Sequence, residues 1–197
     1  MTLKSVEQFL RDLPRGMDSY PQCEQKGAVL RTFMAEKPLD AYVDQVPAEV
    51  ARLVREPPPV SSWVPEVHAT ALYLAMMDLC FSGEQEFVDF AHATNRKLLD
   101  GPIYWAVFRL VGAERVVTGA ASRWGQMHKG TTLTARMDGS RSSTLVLEFP
   151  VGLVPPVLAR CYMTGMAAAV EVAGGKDVKM SLGSQAPTSI TMVGSWT

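Results

Sequence analysis

The chain has 197 residues, 47% of them hydrophobic and 20% charged, with a formal net charge of −1. That length suits one domain, or one domain with an N-terminal extension. A chain of this size buries roughly 70% of the surface its unfolded form exposes, so it needs neither a disulfide nor a structural metal. The near-neutral balance excludes a nucleic-acid-binding domain of the usual kind, which is basic throughout.

The charge is nonetheless uneven. Residues 1–95 carry a net −6, residues 96–141 a net +5, and residues 142–197 none. The basic segment can meet an anionic ligand, an acidic partner or the acidic first half of the same chain. Cys23, Cys80 and Cys161 are odd in number and widely spaced, with no metal-ligand spacing, which points to a reducing compartment. The opening MTLKSVEQFLRDLP is charged and lacks the apolar core of a signal peptide. The most apolar run, ATALYLAMMDLCF (69–81), is too short to span a bilayer and contains Asp78. The expectation is a soluble, cytoplasmic protein with no membrane span.

In chain order, SVEQFLRDL (5–13) predicts a short helix with Ser5 as its cap and Val6, Phe9, Leu10 and Leu13 on one face. A second helix is predicted over 22–36, stopped by Pro38, and a third begins after Pro47 and ends before Pro57-Pro58-Pro59. The proline run and Ser61-Ser62 form the one candidate boundary, dividing a helical extension (1–59) from the main domain (60–197). SWVPEVHATALYLAMMDLC predicts a largely buried helix with Ser62 as a cap, and GEQEFVDFAHATNRKLLDG an amphipathic one. YWAVFRLVG and AERVVTGAASRWGQMHKG read as one or two more helices, hinged at Gly112.

The period then changes. TTLTARM and TLVLEFP, on either side of the Asp-Gly turn of DGSRSS, predict a β-hairpin. PPVLARCYMTGMAAAVEVAGG predicts a helix opened by prolines and closed by glycines, and DVKMSLGS with TSITMVGSW a second hairpin. Small residues on that helix allow it to lie close to a sheet. The fold class is therefore α+β, with helices packed on a four-stranded antiparallel sheet.

SRWGQMHKG (122–130) concentrates the chemistry. If a helix runs to Lys129, Gly130 follows its end, His128 and Lys129 complement its dipole, and Trp124 stacks on His128. The alternative is a site in which Arg123, Trp124, His128 and Lys129 hold an anionic or aromatic ligand. His68 sits on an apolar helix and suits a core histidine. His92 follows Asp89 by three residues and could be oriented by it as a ligand histidine is, but Arg96 stands at i+4 where a second ligand would be. Glu84 and Glu86 fit the positive end of a helix dipole better than acid–base chemistry. The sequence has no H-E-x-x-H, C-x-x-C, G-x-S-x-G or P-loop motif, so no metal or catalytic residues are assigned.

The order helices, hairpin, helix, hairpin from about residue 60 resembles the superfamily of 4-vinyl-reductase domains, heme-nitric-oxide-binding domains and vesicle-tethering TRAPP subunits. GAERVVTGAASRWGQMHKG, GMAAAVEVAGGKDVKM and ITMVGSW resemble more closely an uncharacterised bacterial paralogue family linked to it. The resemblance implies a ligand-binding or interaction module, often dimeric, rather than an enzyme. Heme is disfavoured by the resemblance: heme-nitric-oxide domains hold the propionates with Tyr-x-Ser-x-Arg, and no tyrosine here has Ser two positions later. His92 is the helical histidine that could serve as a heme ligand. The expectation is thus a non-catalytic sensory or binding module for an apolar or amphipathic ligand, without a cofactor. Trp105, Phe108, His68 and His92 would join Arg123, Trp124 and His128 at the site. The alternative is a protein-interaction or homodimerisation module with a filled core, to which the charge asymmetry points.

Overall fold

The computed structural model describes residues 2–101 and 111–197. Helix α1 (Lys4–Asp12) turns Val6 and Phe9 into the core. Its opening is not capped by Ser5. Asp78 does that from outside: its carboxylate accepts from the Ser5 backbone N–H at 2.9 Å and from the Ser5 hydroxyl at 2.7 Å. A first-turn N–H has no partner within its own helix, so an acid from elsewhere satisfies it and adds favourable charge at the positive end of the dipole.

The helix predicted over 22–36 is shorter than its apolar pattern. Residues Glu24–Lys26 form strand β1, and helix α2 spans Gly27–Glu36. Helix α3 covers Ala48–Arg55, with Pro47 at its start. Ser62 likewise caps no helix: strand β2 (Trp63–Pro65) intervenes before helix α4 (Glu66–Cys80). Along α4 nearly every side chain is buried, Glu66 included. Helix α5 (Glu84–Leu99) opens with the Glu86 carboxylate accepting from both the Ser82 N–H and hydroxyl, which lowers the Glu86 pKa.

Helical residues 111–118 form α6, with Gly112 at φ +75°; the segment that the expected hinge would join to it lies outside the described residues. Helix α7 (Ala120–Met127) then stops two residues short of the predicted end, because His128–Lys129 form strand β3. His128 and Lys129 therefore do not cap a helix C-terminus. Gly130, at φ +72°, permits a close approach instead: a Cβ there would stand 2.6 Å from Cys23 Sγ and 2.7 Å from the Gln22 carbonyl.

The three short strands make a sheet that the sequence pattern did not predict, in the order β2-β1-β3 and antiparallel. Gln25 sits between Val64 and His128 in register, and all three are buried. On the other face the Lys26 and Lys129 ammonium groups each lie 3.9 Å from the Trp63 ring centroid.

The predicted hairpins are present: β4 (Thr132–Gly139) with β5 (Ser142–Glu148), and β6 (Lys179–Ala186) with β7 (Ser189–Ser195). They join as one antiparallel sheet, order β4-β5-β7-β6. Leu133, Leu145, Leu147, Ile190 and Met192 are buried on one face, the period-2 alternation of a half-covered sheet. Helix α8 (Pro156–Val172) lies against β6 and β7 and along α5. One continuous apolar core runs from Val6 of α1 to Met192 of β7, so α1–α3 share it with the sheet. Among the described residues no helix is long and apolar enough to cross a membrane.

Asp78→Ala removes the cap on α1 and should cost about 1 kcal/mol. Urea unfolding of the two proteins checks this; an unchanged midpoint would show that α1 is held by Val6 and Phe9 alone.

Candidate functional site

A cavity of about 420 Å³ opens between the helical layer and the four-stranded sheet. Among the described residues its walls come from α2 (Phe33), α5 (Leu98), α7 (Arg123, Trp124), α8 (Tyr162, Met166) and the sheet (Leu145, Met180). Most of this surface is apolar, with a few polar groups, the usual make-up of a small-molecule site.

At one end the wall is a buried polar cluster built on Glu66, the first residue of α4 and only 2% exposed. The Tyr162 hydroxyl donates to Glu66 Oε1 at 3.0 Å, and His128 Nδ1 lies 3.2 Å from Oε2. With Glu66 as the carboxylate, Nδ1–H is the donor, which fixes the ring orientation. The His128 ring stacks on Trp124 at 3.9 Å between centroids and 9° between planes. The Trp124 indole N–H donates to the Thr131 hydroxyl at 2.9 Å, and Tyr162 meets Trp124 edge-on at 5.4 Å. A neighbouring pair, Gln25 Nε2–H to the Tyr73 hydroxyl at 2.7 Å, is also buried and lines the cavity.

Burial dominates the acidities here. It raises Tyr162 well above the usual phenol range, and the nearby Glu66 charge adds to it. Burial raises Tyr73 in the same way. It pushes the Cys161 thiol up to about 12, and that of Cys23, behind the cluster, to about 11. Each group keeps its proton at neutral pH because its charged form would be poorly solvated.

Arg123, Trp124 and His128 are thus brought together on the cavity wall. His68 and His92 are not among its described lining residues. His68 is half-buried; its pKa is lowered, first by burial. His92 Nε2 stands 3.4 Å from Glu171 Oε2 across the α5–α8 contact, out of hydrogen-bond alignment, so Glu171 rather than Asp89 is its acidic neighbour. Trp105 and Phe108 lie outside the described residues. Glu66, Tyr162 and Gln25 were missed from the sequence. The available signal was an acid set into an almost wholly apolar helix, which demands buried partners.

No family model and no curated protein matches this chain. Solved structures do. A structure concerned with the molecular mechanism of H-NOX activation superposes with TM-score 0.59 at 6% identity, over 88% of this chain and 96% of the other. An oxygen-binding H-NOX domain related to soluble guanylate cyclases, in its oxygen complex, gives 0.56 at 7%, over 87% and 92%. A structure probing heme distortion in the H-NOX family gives 0.56 at 10%, over 87% and 95%. The chain has the H-NOX fold.

This overturns the expectation of no cofactor, with heme disfavoured: the structures that share the fold are H-NOX domains, studied for heme distortion and oxygen binding. The missing Tyr-x-Ser-x-Arg motif describes one way to hold propionates. It does not report whether helices and sheet enclose a cavity. The donors present also fit a heme. Histidine, cysteine thiolate, methionine and tyrosine are the residues that hold heme iron. Cys161 and Tyr162 stay protonated, which leaves His128 as the strongest donor among the described lining residues. Its Nδ1 is tied to a carboxylate, as in metal-ligating histidines, and among the described residues no hydrogen bond occupies its Nε2.

Glu66→Ala leaves the His128 Nδ1–H and the Tyr162 hydroxyl without their acceptor and should cost about 3 kcal/mol. Tyr162→Phe removes one bond and should cost about 1 kcal/mol. Denaturant midpoints for both variants check the order; equal losses would remove Glu66 as the centre of the cluster. The acidities predict a second result. A thiol whose pKa is raised is protonated at every pH below it, so Cys161 and Cys23 should be inert to a thiolate-selective reagent at pH 8. Both should react rapidly in guanidinium. Fast modification of the folded chain at either position would show the thiols to be accessible and ionised.

Proposed function

We propose that this chain is a sensory domain that binds a small amphipathic ligand in the cavity and does not transform it. The observation that carries the reading is the predominantly apolar cavity with the Glu66-backed His128 in its wall. The H-NOX fold supports it, because gas- and heme-linked proteins use that architecture. Cys161, the lining nucleophile, is held as a thiol, which argues against covalent catalysis. The filled core of a pure interaction module leaves the cavity unexplained. The closer kinship with 4-vinyl-reductase-like proteins and the bacterial paralogue family is part of the same proposal.

Heme is one ligand of this class. His128 would hold it through Nε2, Glu66 would fix the imidazole, and Phe33, Leu98 and Met166 would supply apolar contact. When bound, heme would supply an iron centre able to take a diatomic gas.

Titration of the full chain with hemin, followed by absorption, tests the reading. The expected result is a shifted, saturable Soret band at one equivalent, with its position changed in His128→Ala. No spectral change removes heme; if a panel of apolar and amphipathic compounds also fails to shift the melting temperature, the cavity is not a ligand site.

A further inference from the structure

Gln25 stands in the middle strand of the three-stranded sheet, in register with Val64 on one side and His128 on the other. Its side chain is only 1% exposed and lines the cavity. The amide Nε2–H donates to the Tyr73 hydroxyl on α4 at 2.7 Å, and the Phe33 ring packs against that of Tyr73 at 5.0 Å between centroids. Tyr73 is buried and lines the same cavity. The pair is thus fixed by a strand and a helix, which is how a recognition site is kept in shape.

Its hydrogen bonding is incomplete. Among the described residues nothing donates to Gln25 Oε1, and nothing accepts the Tyr73 hydroxyl proton. Buried polar groups are normally paired, because an unmet donor or acceptor costs its desolvation. One open acceptor and one open donor, side by side on a cavity wall, are therefore places for a ligand to bond. The Tyr73 hydroxyl stays a donor, since burial raises its pKa and holds the proton on. The Glu66 charge raises it further, and the same field opposes an anion placed at Tyr73. Around the pair, Val29, Phe33, Phe87 and Leu158 give the cavity an apolar lining.

We infer that the ligand is an aliphatic alcohol, an apolar body ending in an uncharged hydroxyl that accepts from Tyr73 and donates to Gln25 Oε1. This rests on the reading that the cavity is a ligand site, and it selects an uncharged polar end within the amphipathic class. A hydroxyl both gives and takes a hydrogen bond through one oxygen. An ether only takes. A carboxylate at about pH 8 also only takes, and it carries the charge that Glu66 opposes.

The test compares decanol with nonyl methyl ether, which has the same number of heavy atoms, and with decanoate, by calorimetry on the full chain at about pH 8. Decanol should bind at least about tenfold tighter than either. The two variants should separate the roles. Gln25→Met removes the acceptor and should bring the decanol-to-ether ratio near one. Tyr73→Phe removes the donor that both compounds use, so it should weaken both together and leave most of the ratio. If Gln25→Met does not fold, the wild-type ratios and Tyr73→Phe decide. Equal affinity for decanol and the ether, or tighter binding of decanoate, overturns the inference and leaves the cavity as a ligand site; so does saturable hemin binding with no preference for decanol. Binding of neither hemin nor any of the three overturns both.

Discussion

One buried carboxylate ties together three remote parts of the chain. Glu66 begins α4, His128 begins β3, and Tyr162 lies on α8, so their two contacts with Glu66 close loops of 62 and 96 residues. An acid this deeply buried is tolerated only when its oxygens are occupied. The requirement works as a positional constraint: the start of α4, the start of β3 and the first half of α8 must arrive together. The backbone adds to the constraint, since the Glu66 N–H donates to the Cys23 carbonyl at 2.8 Å and so joins α4 to the approach of β1.

The cavity follows from the same arrangement. Trp124, stacked on His128 and anchored through its indole N–H, holds α7 out along β4. Helices α5 and α8 pack closely, and small residues line α8 where it faces α5: a Cβ on Gly165 would press on Asn95. Space remains between α7 and that pair, where methionine and leucine side chains meet without filling it. The polar cluster is therefore both a structural clamp and one end of the cavity wall, which places any occupant against the groups that hold the two layers together.

The long elements were legible in the sequence because each carries many turns or alternations of its pattern. Helix α5 repeats Phe87, Val88, Ala91 and Leu98 at helical spacing, and the hairpins alternate over seven or eight residues. The three-stranded sheet was not legible, since strands of two or three residues are too short to show a period of two. His128 and Lys129 also looked like the basic end of a helix, and only their pairing with Gln25 and Glu24 moves them into a strand. Arg123, Trp124 and His128 could be picked out because they are adjacent in sequence. Glu66 and Tyr162 could not, since their roles exist only after residues 96 positions apart meet.

The comparison with H-NOX domains bears on architecture more than on chemistry. At 6–10% identity the shared feature is the fold, which in this chain leaves a cavity between helices and sheet, and chemistry is free to vary within it. A sequence motif for one propionate cradle is thus a poor test of whether such a space exists. The side chains on the wall are the better guide to its contents. Here, among the described residues, they are the Arg123 guanidinium, the His128 imidazole backed by the Glu66 carboxylate, a few amides and hydroxyls, and apolar surface elsewhere. Burying a polar group against Phe33 or Met166 would cost the hydrogen bonds it makes in water, so the polar side chains of the wall are where a polar group would be tolerated.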